Sequence, residues 1–415
     1  VFASFSRSPA AAFFAALAVW LAPPSAHGQI QPLPALHADN SFGAAVALSG
    51  SAHGGRRALV GASGENVCGP NSGAVYVYEK TGSGTWRQAA RLAPSDCEAG
   101  AFFGRSLALS GDRALVGASK EFFADQRPNV AYVFERDETT GRWQETARLT
   151  VDPERSEGSF AASVTLDGTR ALVTSRGRLP SSEQDPQSPS SAAGGAAYVF
   201  ELGPRTEQWC RVARLTPRTP DSRRAFGGTG ALDGDRLAVT ASPYFADAPG
   251  AVYVFELRGP DASAHWEQTA LLEGFTDFSI SVALDGDRLL VGESRAGDDR
   301  EGAAVLFERN AAGAWVRRAR LLPRTPYRDG AFGTSVSLSG DRALITGYDE
   351  QLGLDFNIDR VVYVFERRGA AWVQHQILDV GDVAFGTTID HYGGEALVGH
   401  VPDGGPGTVY VIGLR

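Results

Sequence analysis

The chain has little of what would make it a redox protein, a zinc protein or a nucleic-acid binder. Its three cysteines, Cys68, Cys97 and Cys210, form no Cys-x-x-Cys spacing, which removes the commonest zinc and thiol-redox frameworks. Lysine is nearly absent, Lys80 and Lys120 being the only two. The net charge is −9 and no Lys/Arg-rich run offsets it, so the basic face that meets a phosphate backbone is missing and no nucleic-acid partner is expected. His37, His53, His265, His375, His391 and His400 stand in no metal-ligand spacing with one another. There is no His-Glu-x-x-His, no Gly-x-Ser-x-Gly, and neither lysine follows a glycine as a phosphate loop requires.

Long apolar runs are also scarce. One stretch, Ala10 to Leu21, follows a single charge at Arg7 and is broken by Pro23, Pro24 and Ser25. Ala26-His27-Gly28 then places small residues at the −3 and −1 positions before Gln29. The pattern predicts a secretory signal peptide over 1–28, too short to span a bilayer, with cleavage near Gly28-Gln29. Gln29 in place of a cysteine argues against a lipid anchor. No second apolar stretch approaches ~20 residues, so the mature chain is expected without a transmembrane segment and secreted, periplasmic or cell-surface.

What is present is one phrase repeated. A Phe, usually followed by Gly, opens a short strand at Phe42, Phe103, Phe160, Phe226, Phe278, Phe332 and Phe385. In Phe103-Gly104-Arg105-Ser106-Leu107-Ala108-Leu109, large and small residues alternate with the period of a strand. Ser110-Gly111-Asp112 follows as a tight turn. A second strand ends at Gly117-Ala118-Ser119, and a third resembles Ala74-Val75-Tyr76-Val77-Tyr78 or Ala251-Val252-Tyr253-Val254-Phe255. A fourth begins at a tryptophan. A unit of this kind recurring every ~50–60 residues predicts a propeller built of four-stranded antiparallel blades. Such a sheet cannot bury two apolar faces alone, so neighbouring copies must sandwich it.

The tryptophans set the blade count. Trp86, Trp143, Trp209, Trp266, Trp315 and Trp372 mark six fourth strands against seven openings. The last blade therefore lacks its outer strand. Residues 29–38, with Ile30, Leu33 and Leu36, precede Phe42 where a fourth strand is due. They are expected to pair with Tyr410-Val411 and close a seven-bladed ring over 29–415, all β, leaving no open sheet edge at the junction.

Strand direction sorts the connections onto two faces. The Ser-Gly-Asp turns and the loops before each Trp lie on the first face. The loops after Gly-Ala-Ser, and those before each Phe, lie on the second. Cys68 and Cys97 share that second face beside blade 1, where two readings stand: a disulfide, or two unpaired thiols. Cys210, beside Trp209, reads as a small packed residue. Phe122, Phe123, Tyr244, Phe245 and Tyr348 follow the Gly-Ala-Ser positions on the same face. They either form a recognition surface, where aromatics give contact area at low entropic cost, or fold back as caps over the blade ends. His400 replaces the Ala of Gly-Ala-Ser at the start of such a loop and joins them as a candidate ligand contact. The Leu179–Gly195 segment is rich in Ser and Pro.

The pattern resembles the FG-GAP repeat family, the propeller units of integrin α-subunit heads and of many secreted bacterial proteins. Phe42-Gly43, Phe103-Gly104, Phe226-Gly227, Phe332-Gly333 and Phe385-Gly386 carry the FG, and Gly61-Ala62-Ser63 and Gly117-Ala118-Ser119 stand where GAP is due. The resemblance implies a propeller serving adhesion, ligand binding or scaffolding. One departure concerns calcium. Integrin-like repeats carry an Asp-x-Asp-x-Asp-Gly loop that wraps the ion with hard oxygens. Here those positions hold turns such as Asp233-Gly234-Asp235 and Asp285-Gly286-Asp287, too small to supply six ligands. Asp355, Asn357 and Asp359 alternate as oxygen ligands in another loop without the glycine and form the one weak alternative. The expectation is a non-catalytic binding or scaffold module without cofactor, its partner an extracellular protein or glycan. The alternative is a hydrolase or lyase with residues gathered from several blades around the axis.

Overall fold

The computed structural model describes residues 30–33, 41–50, 55–119, 129–151, 159–177, 194–221, 223–243, 249–260, 263–276, 280–349, 359–381, 384–402 and 406–414. They form seven four-stranded antiparallel sheets in a closed ring. Blade 1 holds β2 (Phe42–Gly50), β3 (Arg56–Ala62), β4 (Ala74–Lys80) and β5 (Trp86–Leu92). Blade 2 holds β6 (Phe103–Ser110), β7 (Arg113–Ala118), β8 (Val130–Arg136) and β9 (Trp143–Leu149). Blade 3 holds β10 (Ser159–Asp167), β11 (Arg170–Arg176), β12 (Ala196–Leu202) and β13 (Trp209–Leu215). Blade 4 holds β14 (Arg224–Asp233), β15 (Arg236–Pro243), β16 (Gly250–Arg258) and β17 (His265–Phe275). Blade 5 holds β18 (Ile280–Asp285), β19 (Arg288–Glu293), β20 (Ala303–Arg309) and β21 (Trp315–Leu321). Blade 6 holds β22 (Val336–Ser339), β23 (Arg342–Asp349), β24 (Asp359–Arg368) and β25 (Ala371–Leu378). Blade 7 holds β26 (Phe385–Tyr392), β27 (Glu395–His400) and β28 (Thr408–Gly413), completed by β1 (Ile30–Pro32).

The ring closes as the tryptophan count predicts. Ile30, Gln31 and Pro32 pair with Ile412, Val411 and Tyr410. The strand is shorter than the expected 29–38, and 34–40 lie outside the described residues, as does 1–28. Pro32 has no N–H to donate, which an outermost strand tolerates. Leu33 continues the contact: its N–H donates to the Val409 carbonyl at 2.7 Å, and its side chain is buried.

The apolar cores lie between blades. Leu115, Val133 and Leu149 of blade 2 pack with Phe160, Val173 and Phe200 of blade 3. The same sandwich joins blades 7 and 1, where Leu397, Val409 and Val411 meet Leu33, Phe42 and Val60. In six blades the opening Phe also stands edge-on to the third-strand tyrosine of its own blade. Examples are Phe103 to Tyr132 at 5.6 Å and Phe332 to Tyr363 at 5.2 Å between ring centres. Such pairs add ~0.5–1.5 kcal/mol beyond burial, which accounts for the co-repetition of Phe and Tyr.

The glycine after the Phe has a specific task. Gly43, Gly104, Gly227, Gly333 and Gly386 all have positive φ. In blades 1, 2, 4 and 7 a register shift follows directly. This is a β-bulge that needs a left-handed residue. It lets the inner strands approach closely: a Cβ on Gly61 would lie 2.1 Å from the Gly104 carbonyl oxygen of the next blade. Phe332 stands ahead of the short β22, bridging Gly302 of blade 5. Phe278 lies outside the described residues.

The first face is locked turn to turn. Gly111 N donates to Ser49, Gly168 N to Ser110, Gly234 N to Asp167 and Gly340 N to Asp285, at 2.8–3.2 Å, each across a blade boundary. The Asp-Gly-Asp turns are thus hydrogen-bonded to the neighbouring blades. Arginine opens the second strand of six blades and faces a glutamate on the third: Arg57–Glu79, Arg113–Glu135, Arg170–Glu201, Arg236–Glu256, Arg288–Glu308 and Arg342–Glu366 are register partners. Arg113 and Arg170 also lie over Trp209 and Trp266 of the following blade, a cation–π contact that ties the Trp strand inward.

Candidate functional site

Toward the second face the third strands of six blades carry a tyrosine, blade 5 having Val305 instead, and three of these hydroxyls are claimed by carboxylates. Tyr76 donates to Glu65 at 2.8 Å, and Glu65 also receives Arg91. Tyr132 donates to Asp96 at 2.8 Å, and Arg148 meets the same carboxylate at 2.8 Å. Tyr363 donates to Asp349 at 3.2 Å. Burial and the adjacent carboxylate push Tyr76 up to about 12, and Tyr132 and Tyr363 move in the same direction. These phenols stay protonated and act as donors that tie down the blade ends.

The predicted aromatic cluster is only partly placed. Phe122, Phe123, Tyr244 and Phe245 lie outside the described residues, as do Asp355 and Asn357. Tyr348 belongs to β23 rather than to a loop. Its hydroxyl accepts a hydrogen bond from Arg360 at 2.6 Å, and that guanidinium lies 4.9 Å from the ring centre. His400 holds the strand-end position that Ala62 and Ala118 hold in blades 1 and 2. It ends β27, is 7% exposed, and stands edge-on to Tyr410 at 6.3 Å, because pairing with Thr408 continues the sheet through it. Asp359 opens β24, buried and opposite Asp349 in the register. Among the described residues, no group of three or more His, Cys, Asp or Glu gathers as a metal site.

Cys68 and Cys97 are joined in a disulfide with Cα atoms 5.9 Å apart. It ties the β3–β4 loop to the connection leading into blade 2. Cys210 is exposed on β13 instead of packed, in a solvent-facing run with Arg211 and Val212 on the outermost strand of the blade.

A groove of about 490 Å³ at the rim is lined by Arg218, Arg258, Glu267 and Arg309. Its arginines are turned to Glu256 and Glu267, as part of the same ion-pair network.

One polar cluster escaped sequence reasoning. Asp390 Oδ1 accepts from Ser337 Oγ at 3.1 Å and from His391 N at 2.8 Å. Its Oδ2 accepts from Leu48 N at 2.8 Å. Ser337 Oγ also lies 2.8 Å from His391 Nδ1. Blades 6, 7 and 1 therefore meet at one carboxylate, on the inner strands β22, β26 and β2. Asp390 is half-buried to water yet walled by protein, and burial pushes it up to about 6 despite three hydrogen bonds that pull the other way. His391 is buried, which holds it down to about 4. The signal was available in the repeat itself. Five residues past each opening Phe stand Ala47, Ala108, Thr165, Ala231, Ala283 and Ser337, then Asp390 in blade 7. The next position is leucine six times and then His391.

Residues 86–134 match the FG-GAP repeat model. The match runs from the fourth strand of blade 1 through the third of blade 2, so the sequence repeat is offset by one strand from the blade. That offset is the same one that leaves β1 to complete blade 7. The chain is a seven-bladed β-propeller in which residues 86–134 are similar to an FG-GAP repeat. No curated protein matches it. Two solved propellers are similar to it in shape. The β-propeller domain of the Trilobed protease from Pyrococcus furiosus, with an open velcro topology, is 10% identical with a TM-score of 0.47, over 88% of this chain and 91% of that one. The periplasmic gluconolactonase PpgL of Pseudomonas aeruginosa is 17% identical with a TM-score of 0.49, over 81% of this chain and 85% of that one. Likeness of this degree concerns the fold alone. Among the described residues, no helix is long and apolar enough to cross a membrane.

Proposed function

We propose that this FG-GAP propeller is an exported, non-catalytic binding or scaffold module whose second-face loops take an extracellular protein or glycan. The observation that carries the reading is the unequal use of the two faces. Turns on the first face are as short as Ser110 to Arg113 and are spent on neighbouring blades. Length collects on the second face, where Ala118 to Val130, Arg176 to Ala196 and Asp349 to Asp359 separate consecutive strands. Variable loops on a rigid scaffold are where recognition resides. The Cys68–Cys97 bridge braces that same face, and bridges of this kind persist in oxidising compartments. Asp390, His391 and Ser337 support a structural part, since both oxygens of the carboxylate already accept from protein groups.

The test replaces Phe122, Phe123, Tyr244 and Phe245 together by serine. Retained melting temperature with lost retention on a panel of extracellular glycans and matrix proteins supports recognition. A lowered melting temperature with retained binding assigns those residues to capping and moves the binding surface elsewhere.

A further inference from the structure

We propose that Asp390 and His391, bridged by Ser337, form a self-compensating proton node that keeps the junction of blades 6, 7 and 1 at nearly constant strength from mildly acidic to neutral pH. The geometry places the node at the ring closure. Asp390 reaches Leu48 N of blade 1 and Ser337 of blade 6, partners 342 and 53 residues away in sequence. The six other inner strands do without it, carrying small residues and leucine at the two positions. A carboxyl and an imidazole, both able to carry charge, have been set side by side where the fold requires neither.

Burial disfavours charge on both groups, and this moves an acid and a base in opposite directions. Asp390, raised from 3.8 to about 6, binds a proton in the folded ring before it does in the unfolded chain. Its contribution therefore grows as pH falls through about 6 and is complete near 3.8. His391, lowered from 6.5 to about 4, binds a proton in the unfolded chain first. Its contribution is complete above 6.5 and is lost as pH falls toward 4. Each alone changes the folding equilibrium about tenfold per pH unit inside its window. The windows nearly coincide and the signs oppose, so the pair contributes little net slope.

The surrounding charges leave that balance in place. Arg342 disfavours and Asp285 favours protonation of His391. Strands β2 and β22 carry no ionisable side chain. On β27, Glu395 is turned to Arg56 and Lys80, and on β24, Glu366 is turned to Arg342. Tyr410 of β28 stands against Phe385.

The repeat supplies the test variants, because alanine and leucine are what other blades use. Urea unfolding of the full chain would be followed from pH 4.5 to 7.5 for the parent, Asp390→Ala, His391→Leu and the double variant. Relative to the double variant, Asp390→Ala should lose about tenfold in folding equilibrium per unit as pH falls through 6, and His391→Leu should gain by a similar factor. The parent should run parallel to the double variant. Asp390→Asn, which keeps the shape, replaces Asp390→Ala should that chain fail to fold, and the imidazole shift of His391 by NMR gives an independent reading. Single variants that slope the same way, or a parent that diverges from the double variant by more than tenfold across the window, would overturn the proposal. Constant offsets without slopes would reduce the node to packing.

Discussion

Glu395 and Arg56 meet at 2.5 Å across the junction of blades 7 and 1. Glu395 stands at the register position that arginine holds in the other six blades, and its partner on β28 is Gly413 where the others have glutamate. Lys80 reaches the same carboxylate at 2.5 Å. The ion pair has thus been turned from within a blade to between blades, at the one boundary where the chain does not run on.

Restoring the repeat residue there should harm the ring. Glu395→Arg would set an arginine against Arg56 and Lys80, whose side chains are 29% and 27% exposed. Half-buried pairs lie between the surface and interior limits, so a loss of about 2 kcal/mol is expected. Adding Arg56→Glu should recover part of it. Chemical denaturation of the single and double variants gives the coupling directly, and additive effects would remove the pair from the closure.

Blade 3 carries a local flaw. Ala161 takes the place of the FG glycine and holds φ at +60°, in a region that costs an L-residue about 1–2 kcal/mol. Ala161→Gly should raise stability by about 1 kcal/mol after the entropy of the freer unfolded chain is deducted. The reverse change is informative. Gly104→Ala would bring a Cβ within 2.7 Å of the Ala74 carbonyl oxygen at φ +90°, and should cost about 1–3 kcal/mol. Melting temperatures of the two variants moving in opposite directions is the expected outcome.

The bridge between Cys68 and Cys97 closes a loop with a sequence separation of 29. Loop entropy assigns it about 3–4 kcal/mol. Cys68→Ser with Cys97→Ser should lower stability by that order, and reductant should shift the parent and leave the double variant unmoved. Alkylation without reductant should label one cysteine per chain, the exposed Cys210. Three labels would contradict the bridge.

The repeat made the ring legible because propeller physics is periodic. Six tryptophans against seven openings sufficed to assign β1, since an unmatched strand has only one edge to join. The shared second face of Cys68 and Cys97 followed from strand direction alone. What the sequence hid was departure from its own rhythm. His391 was read against metal and catalytic spacings, where it is unremarkable, and not against the leucines that share its place in the blades. Tyr348 reads as a loop residue because the Gly-Ala-Ser pattern marks a usual strand end. Blade 6 runs its strand on to Asp349, since a cross-strand partner was available at Asp359, whereas His400 ends β27 at the place where Ala62 and Ala118 end β3 and β7.

Closure itself can be tested through β1. Three residue pairs and one further hydrogen bond from Leu33 hold it to β28, while the Leu33 side chain joins the core between blades 7 and 1. Leu33→Ala should therefore cost about 2–3 kcal/mol even though it touches no turn or repeat motif. Removing residues 30–33 should do more, because β28 then becomes an exposed edge that can pair with other chains. The expected result is a lower melting temperature with concentration-dependent association, reversed by adding a peptide of residues 29–38. A shortened chain that unfolds cooperatively at the parent's temperature, and stays monomeric, would show that the blade interfaces hold the ring without its latch.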